Sequence, residues 1–467
     1  MILLLERAAD EVPDHAAVVS DDTIKTYAEL ATESRRVATA LRTRGLRRFA
    51  MLEPDAARIL RLLAAAALAG SEPCQYQPDM AAAEFATQAS ALGHDVVLTR
   101  RTDLDGPFEV IHPDELLEAE PDPALEPPAA QPLLIRTTGT TGVPKAARHD
   151  WQHLHRTLVH VRPRPDQRWL LAYGPHQFAG VQVLQHVMAG RATLVAPFPR
   201  QPRDGLDALV SERVTCVSAT PTYWRFLLAE ARSREIALPP LEQVTLGGEA
   251  SPADLLAELR AAFPDARISQ IYASTEFGSV ASVKDELPGL AATSLFGPDN
   301  PDATLRVAEG ELWVRAGAGM LGYADADADA DADSADRAED AAAEGEWRRT
   351  GDLVEVVDGR VLFRGRRSEV INVGGIKVHP LPVEERIAAL PDVDMVRIFG
   401  RANRLTGAIV AAEVVAAGAT SDEDTERLRA AIRDSVADLP PAWRPRSVAF
   451  VDAIETRGCK TVRRMEP

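Results

Sequence analysis

A chain of 467 residues has room for two or more domains with a sizeable core, and 46% hydrophobic residues exclude a disordered protein. A formal net charge of −18 argues against a nucleic-acid partner and against binding to an anionic membrane surface. The three cysteines, Cys74, Cys216 and Cys459, are spaced for neither a disulfide framework nor a metal, which fits a reducing cytoplasm.

The first residues, Met1-Ile2-Leu3-Leu4-Leu5, meet Glu6 at once and lack the basic region of a signal peptide. Thr26-Tyr27-Ala28-Glu29-Leu30, followed by apolar Val37, Ala38 and Leu41, predicts an amphipathic helix over 25–45 with Thr26 as N-cap and Gly45 as stop. A strand is expected near 49–52 and another at 95–98. The apolar run 62–70 between them is too short to span a bilayer and follows Arg61, so it reads as a buried helix of a soluble protein. Alternating helices and strands predict a layered α/β domain with parallel sheet. Residues 118–132, rich in Pro, Glu and Ala, form a loose connection.

An apolar run at 132–135 then leads into Thr137-Thr138-Gly139-Thr140-Thr141-Gly142-Val143-Pro144-Lys145, and a polar segment crossing the surface follows. The two glycines permit tight turns, so that successive amide groups can converge on an anion, and the threonine hydroxyls and Lys145 add donors and charge. Such a loop suits the β- and γ-phosphates of a nucleotide, although the glycine spacing is not that of a P-loop. His149 and His153 have the i, i+4 spacing of a helical metal pair, but no third ligand is evident, and a polar helix face is the expectation. Tyr173-Gly174-Pro175-His176-Gln177-Phe178-Ala179-Gly180 precedes an apolar helix ending at Gly190. Buried strands are expected at 214–221, at 244–247 before Gly247-Gly248-Glu249, and before Ile271-Tyr272-Ala273-Ser274-Thr275-Glu276. From Ala324 the chain alternates Asp and Ala and then becomes Glu-rich up to Glu346, and like charges at every second residue predict an extended, solvated loop. Short strands and helices alternate again at 395–400, 408–415, 425–438 and 447–451.

The stretch Thr138 to Lys145 resembles the Ser/Thr-Gly-Thr-Thr-Gly-x-Pro-Lys loop of the adenylate-forming superfamily, which contains acyl- and aryl-CoA synthetases, peptide-synthetase adenylation domains and luciferases. Further motifs extend the resemblance over nearly the whole chain, most weakly before residue 130. The loop implies pyrophosphate binding by Thr138, Gly139, Thr140, Thr141, Gly142 and Lys145. Gly247-Gly248-Glu249 resembles the Gly-Gly-Glu that lets adenine lie against backbone. Tyr272 to Glu276 resembles Tyr-Gly-x-Thr-Glu, in which the tyrosine stacks on adenine, the threonine binds the α-phosphate and the glutamate holds Mg²⁺. Ala273 stands where glycine is usual, and its methyl shortens the acid cavity. His176 and Phe178 fall in the aromatic or histidine motif beside the carboxylate pocket, with Phe178 where ligases of the family usually carry histidine. Asp352 and Arg366 match the ribose contacts, Ser368 the hinge, residues 370–380 the loop lining the pantetheine tunnel, and Lys460 the catalytic lysine, with Cys459 replacing a glycine.

The resemblance therefore implies an α/β enzyme with a large N-terminal domain of layered parallel sheets and helices, residues 1–366, and a small mobile α+β C-terminal domain, residues 367–467. The implied reaction joins a small or aryl carboxylic acid to ATP as an acyl adenylate with pyrophosphate release, then transfers it to the thiol of CoA. Two alternative fates stand beside it: loading of a carrier protein, and activation of nitrite for an aryl amine by an ATP-dependent diazotase of secondary metabolism. ATP and Mg²⁺ are the implied cofactors, CoA the implied co-substrate, and a cytoplasmic enzyme without nucleic-acid or membrane partner is expected.

Overall fold

The computed structural model describes residues 1–20, 23–137, 145–298, 300–315, 319–324, 343–344, 347–417, 421–454, 456–457 and 460–461, the pairs 343–344, 456–457 and 460–461 by their backbone alone. The phosphate-loop residues Thr138 to Gly142, most of the Asp-Ala repeat and Cys459 lie outside the described residues.

Two large sheets dominate the N-terminal part. One runs Gly278–Val283, Arg267–Ser274, Gln243–Gly247, Cys216–Ala219, Arg168–Leu171, Thr193–Val195, Ala16–Ser20, Thr23–Thr26, parallel throughout except at its two edges. The other runs Gly322–Tyr323, Lys145–Asp150, Pro132–Thr137, Glu72–Gln75, Arg48–Leu52, Val96–Thr99, Glu109–Ile111, and its last five strands are parallel. Both sheets present apolar faces to one shared core, into which the helices Tyr27–Thr43, Ala56–Ala69 and Phe178–Gly190 are packed.

Local chemistry explains where these helices begin and end. Thr26 and Glu29 form a reciprocal capping box at the head of Tyr27–Thr43, a device worth about 1 kcal/mol, and Gly45 follows the helix in left-handed conformation. Ala56–Ala69 is the expected buried helix; Asp55 caps it and Gly70 ends it at φ +76°, where a larger residue would be strained. Its small side chains let both sheets approach closely. Of its two charged residues, Arg58 pairs with Glu53 at 3.1 Å, and Arg61 is buried but paired with Glu33 at 3.0 Å and Asp114 at 3.1 Å. The helices Pro202–Ser211, Pro221–Ser233 and Ala253–Ala262 cover the opposite face of the first sheet and make a second core.

A third, largely antiparallel sheet of Leu290–Ala291, Arg360–Arg366, Trp347–Val357, Glu311–Arg315 and Leu305–Ala308 follows. The smaller C-terminal domain then has its own core between the helices Pro380–Ala388 and Asp422–Ser435 and a sheet of Ile371–Val373, Ile376–Val378, Gly407–Ala416, Val393–Asn403 and Ser447–Phe450. No helix among the described residues is long and apolar enough to cross a membrane.

Two sequence expectations need correction. The segment after the phosphate loop is not a surface crossing: Lys145–Asp150 is a strand paired antiparallel with Pro132–Thr137, and its Ala146, Ala147, His149 and Asp150 are buried. His149 therefore lies on a strand and His153 on the short helix Trp151–His155, so the i, i+4 pair has no common helix face. Among the described residues no group of three or more His, Cys, Asp or Glu is gathered as a metal site. The hidden variable was burial, since polar letters at alternate positions of an edge hairpin look like surface when no partner strand is known.

The buried imidazoles make a prediction. His94 and His149 are 2% and 1% exposed, and burial is the main cause that lowers each to about 4. In the unfolded chain they titrate near 6.5, so between those values the unfolded state binds protons that the folded state refuses. Their contribution is complete above about pH 6.5 and is lost as the pH falls towards 4. His149→Phe should flatten the acid limb of stability against pH, by at most ~3 kcal/mol at its foot. Urea unfolding between neutral pH and pH 4.5 measures this, and an unchanged acid limb would count against a neutral buried imidazole.

Candidate functional site

Parallel strands end together, and the loops after their carboxyl ends gather chemistry over one edge of the sheet. Here the ends of Gln243–Gly247 and Arg267–Ser274 face the third sheet and the C-terminal domain across a cleft of about 2700 Å³. Lys145, His176, Phe178, Gly247, Gly248, Glu249, Tyr272, Ala273, Thr275, Glu276, Asp352, Arg366 and Ser368 all line it. Residues scattered over more than 220 positions in sequence, from Lys145 to Ser368, are thus brought to one cleft.

At one wall stands a hydrogen-bonded group. Asp352 is 8% exposed; its Oδ2 accepts from the Tyr272 hydroxyl at 2.6 Å and its Oδ1 lies 3.1 Å from Arg366 Nε. Burial, then the Asp352 carboxylate beside it, holds the Tyr272 phenol well above its ordinary range, so it remains a donor. The strands carrying Asp352 and Arg366 pair directly, with Asp352 opposite Arg366. The turn before Asp352 is fixed by Glu311, which accepts from Gly351 N–H at 2.9 Å, and by Thr350 Oγ1, which accepts from Asp352 N–H at 3.0 Å. The ring of Tyr272 also packs on Phe363, with centroids 5.3 Å apart. Tyr272 therefore has two roles in this site, a flat face and a hydroxyl that orients the carboxylate.

Next to it lies a narrow backbone shelf. Gly248 adopts φ +85°, and a Cβ on Gly247 would come within 3.3 Å of the Tyr173 hydroxyl, which donates to Gly247 O at 3.1 Å. Side chains are excluded from this shelf, leaving peptide edges for a planar ligand. Glu249 turns away to accept from Thr222 N–H at 3.0 Å, at the start of the helix Pro221–Ser233.

The opposite wall holds the charged groups. Gly319 sits so close to Glu276 that a Cβ would lie 2.2 Å from its carbonyl oxygen, and Met320 N–H donates to that same oxygen at 2.9 Å. Tyr323, paired in register with Ala147 one strand over, brings its hydroxyl to 3.5 Å from Glu276 Oε1 and its ring under Lys145 Nζ at 5.2 Å. Gly319, Met320 and Tyr323 thus position Glu276 and Lys145. The role of Leu321-Gly322-Tyr323 depends on the strand pairing that brings it beside Lys145.

The floor of the cleft combines Phe178, Ala273 and Tyr173. Phe178 is 6% exposed and meets the His149 ring at 5.5 Å, so it packs in the core while presenting an edge to the cleft. A Cβ on Gly180 would lie 2.2 Å from Gly174 O, so this glycine allows the Phe178–Gly190 helix to dock against the preceding loop. His176 stacks above Gly174, and burial is the main cause that lowers it to about 4.

Ser368 lies in the single turn Arg367–Glu369 directly after the strand Arg360–Arg366. The tips Gly374 and Gly375, at φ +59° and +89°, are not among the residues lining the cleft, whereas Leu381, Glu384 and Met395 of the same domain are. Lys460 is in the backbone hairpin Thr456–Arg457/Lys460–Thr461, beside the helix Pro221–Ser233.

The donor set suits a metal bound jointly with phosphate. Glu276 is one carboxylate facing the cleft near Lys145, and Mg²⁺ commonly takes one or two carboxylates together with substrate phosphates and water.

Comparisons with known proteins identify the family. The chain matches the family model described as AMP-binding enzyme over residues 5–324 and that of the AMP-binding enzyme C-terminal domain over residues 382–459. A feruloyl-CoA synthase of Amycolatopsis sp is 28% identical over 97% of this chain and 95% of its own length. An indoleacetate–CoA ligase of Aromatoleum aromaticum is 27% identical over 88% and 87%. Among solved structures, the anthranilate CoA ligase AuaEII in complex with anthranoyl-AMP superposes with a TM-score of 0.79 at 20% identity, covering 99% of this chain and 95% of its own.

Proposed function

The chain belongs to the AMP-binding enzyme family, and on that premise we propose that it is an ATP-dependent acid–CoA ligase acting on an acid with a flat or small carboxyl-bearing end. The observation that carries the reading is the joint placement of Asp352, Tyr272 and Arg366 on one wall and Lys145 and Glu276 on the other. One wall suits a nucleoside and the other its polyphosphate. The relatives named above support an aromatic acid as substrate and CoA as acceptor.

In the first step the acid's carboxylate oxygen attacks the α-phosphorus of ATP in line, and the bond to the β-phosphate bridging oxygen breaks to give acyl adenylate and pyrophosphate. No protein nucleophile is required; the protein supplies alignment and charge. Asp352 and Arg366 hold the ribose, the Gly247–Gly248 shelf and the Tyr272 ring hold the adenine, and Thr275 meets the α-phosphate. Lys145 with residues 138–142 receives the departing pyrophosphate. Glu276 would hold Mg²⁺, which would supply positive charge to the phosphates. Lys460 stabilises charge developing at phosphorus. In the second step the thiol sulfur of CoA attacks the acyl carbonyl, AMP leaves and the thiol proton goes to solvent. The C-terminal domain, taken as 367–467, turns about Ser368 between the steps and brings Gly374 and Gly375 to the cleft.

Pyrophosphate release against benzoate, anthranilate, ferulate, indoleacetate and palmitate, with and without CoA, tests this reading. Aromatic acids should give CoA thioesters, and Ala273→Gly should broaden the range by about 1–3 kcal/mol of discrimination, as expected for one methyl. Preference for palmitate in the unmodified protein would sink the aromatic assignment, and adenylate formation without CoA capture would redirect the acyl group to a carrier.

A further inference from the structure

The cleft continues beyond the floor at Phe178 and Ala273, along the face of the first sheet towards the opposite end of its strands. On that face Gly247, Thr245 and Gln243 alternate down one strand, opposite Ile271, Ser269 and Arg267 of its neighbour, with Ala273 two residues beyond Ile271. In the next strand Ser282 pairs with Ile271 and Val283 with Gln270, which sets Lys284 across from Ser269. The other wall is one stripe of the Phe178–Gly190 helix: Phe178, Gln182, Gln185 and His186 recur at helical spacing and all line the cleft. Four residues of strand and eight of helix both span about 12–13 Å, so the two walls run the same distance.

This extension is lined by donors. Thr245 and Ser269 are each 5% exposed and their hydroxyl oxygens accept from Gln243 Nε2 at 3.0 and 3.1 Å, which leaves their protons for something in the cleft. Gln185 is 1% exposed, and its Nε2 has no hydrogen-bond partner among the described residues. A buried amide donor costs free energy when left unpaired. At the far mouth the ionisable lining side chains are basic: Arg162, Arg267 and Lys284, with Arg164 already held by Asp166 and Glu242. The acidic residues that line the cleft come from other segments, such as Glu249, Glu276, Asp352 and Glu369. Basic residues gathered at one mouth of a chain with net charge −18 make a local reversal of sign.

We propose that the acid activated here is elongated and carries a second carboxylate, which lies at the Arg267–Lys284 mouth while the first meets ATP beside Ala273. Where the arm between them carries an oxygen or nitrogen acceptor, Gln185, Thr245 and Ser269 would donate to it. This inference rests on the ligase reading above and adds the class of acid, an aryl dicarboxylate.

The test compares 1,4-phenylenediacrylic acid with its monomethyl ester, and terephthalic acid with its own, by pyrophosphate release and by thermal shift without ATP. The long diacid should exceed its ester about tenfold in kcat/KM, mostly through KM, because binding far from the reacting atoms is shared by ground and transition states. Terephthalic acid, too short to reach the mouth, should show little preference over its ester. In Arg267→Ala/Lys284→Ala the long diacid's advantage should vanish, and in Lys284→Glu it should invert. Both side chains are exposed, so folding is preserved, and unchanged melting of the unliganded variants checks it. Equal use of diacid and ester by the unmodified protein, or a preference that survives the double variant, overturns the proposal even while other acids are activated. Absence of pyrophosphate release with every acid of the wider panel would instead overturn the ligase reading itself.

Discussion

Replacing Lys460 by alanine is expected to slow acyl-adenylate formation at least ~100-fold, the loss typical of a preorganised transition-state donor. A chemically prepared acyl adenylate should still pass to CoA at a near-normal rate. The reason is geometric. The strand Lys460–Thr461 lies beside the helix Pro221–Ser233, whose first residues Pro221 and Thr222 line the cleft. The glycine tip at Gly374 and Gly375 belongs to another edge of the same small domain and does not line the cleft. One domain offering two edges to one nucleotide site allows two chemistries to share that site in turn. Gly375→Trp should show the opposite pattern, with first-turnover pyrophosphate release retained and thioester formation lost. At φ +89° any side chain strains the backbone, so Gly375→Ala separates strain from bulk. Single-turnover kinetics that detect adenylate and thioester separately decide the matter, and equal damage to both steps by Lys460→Ala would refute the division of labour.

The second large effect concerns Asp352. Asp352→Ala should weaken ATP binding about 100-fold, since it removes charge-assisted hydrogen bonds worth roughly 1.5–3 kcal/mol each and leaves Arg366 without its partner. Tyr272→Phe keeps the ring and the carboxylate but removes the 2.6 Å hydrogen bond, so a smaller loss, about tenfold, is expected. Calorimetric titration of AMP into each variant measures both without requiring turnover. Full AMP affinity in Asp352→Ala would remove the ribose from this wall. A larger loss in Tyr272→Phe than in Asp352→Ala would mean that the hydroxyl, and not the carboxylate, meets the ligand.

Much of this molecule is written in short segments whose own chemistry suffices. The capping box of Thr26 and Glu29, the alanine-rich Ala56–Ala69, and the glycine pair 247–248 behave as their letters predict, because a cap, a helix period and a positive φ are local properties. The motifs also named Asp352, Arg366, Tyr272 and Glu276 as one site, and those residues do share one cleft. What sequence left open is what depends on which strands lie side by side. His149 was assigned to a helix face because its burial comes from an edge hairpin packed on Phe178, a contact between positions 29 residues apart. Tyr323 acquires its link to Lys145 and Glu276 only through pairing with Ala147. The Tyr272 hydroxyl, read as part of a stacking ring, meets Asp352 across 80 residues. The polar extension beneath Ala273 was invisible for the same reason. Gln185, Thr245, Ser269 and Lys284 are unremarkable letters until one helix and three strands enclose a common space. Sequence by itself determined the backbone devices and named many of the residues that line the cleft, since those follow from residue type and spacing. Only tertiary structure decided the shape and polarity of the acid's chamber, because hydrogen-bonding need and charge take effect where burial removes water, and burial is a property of the packed whole.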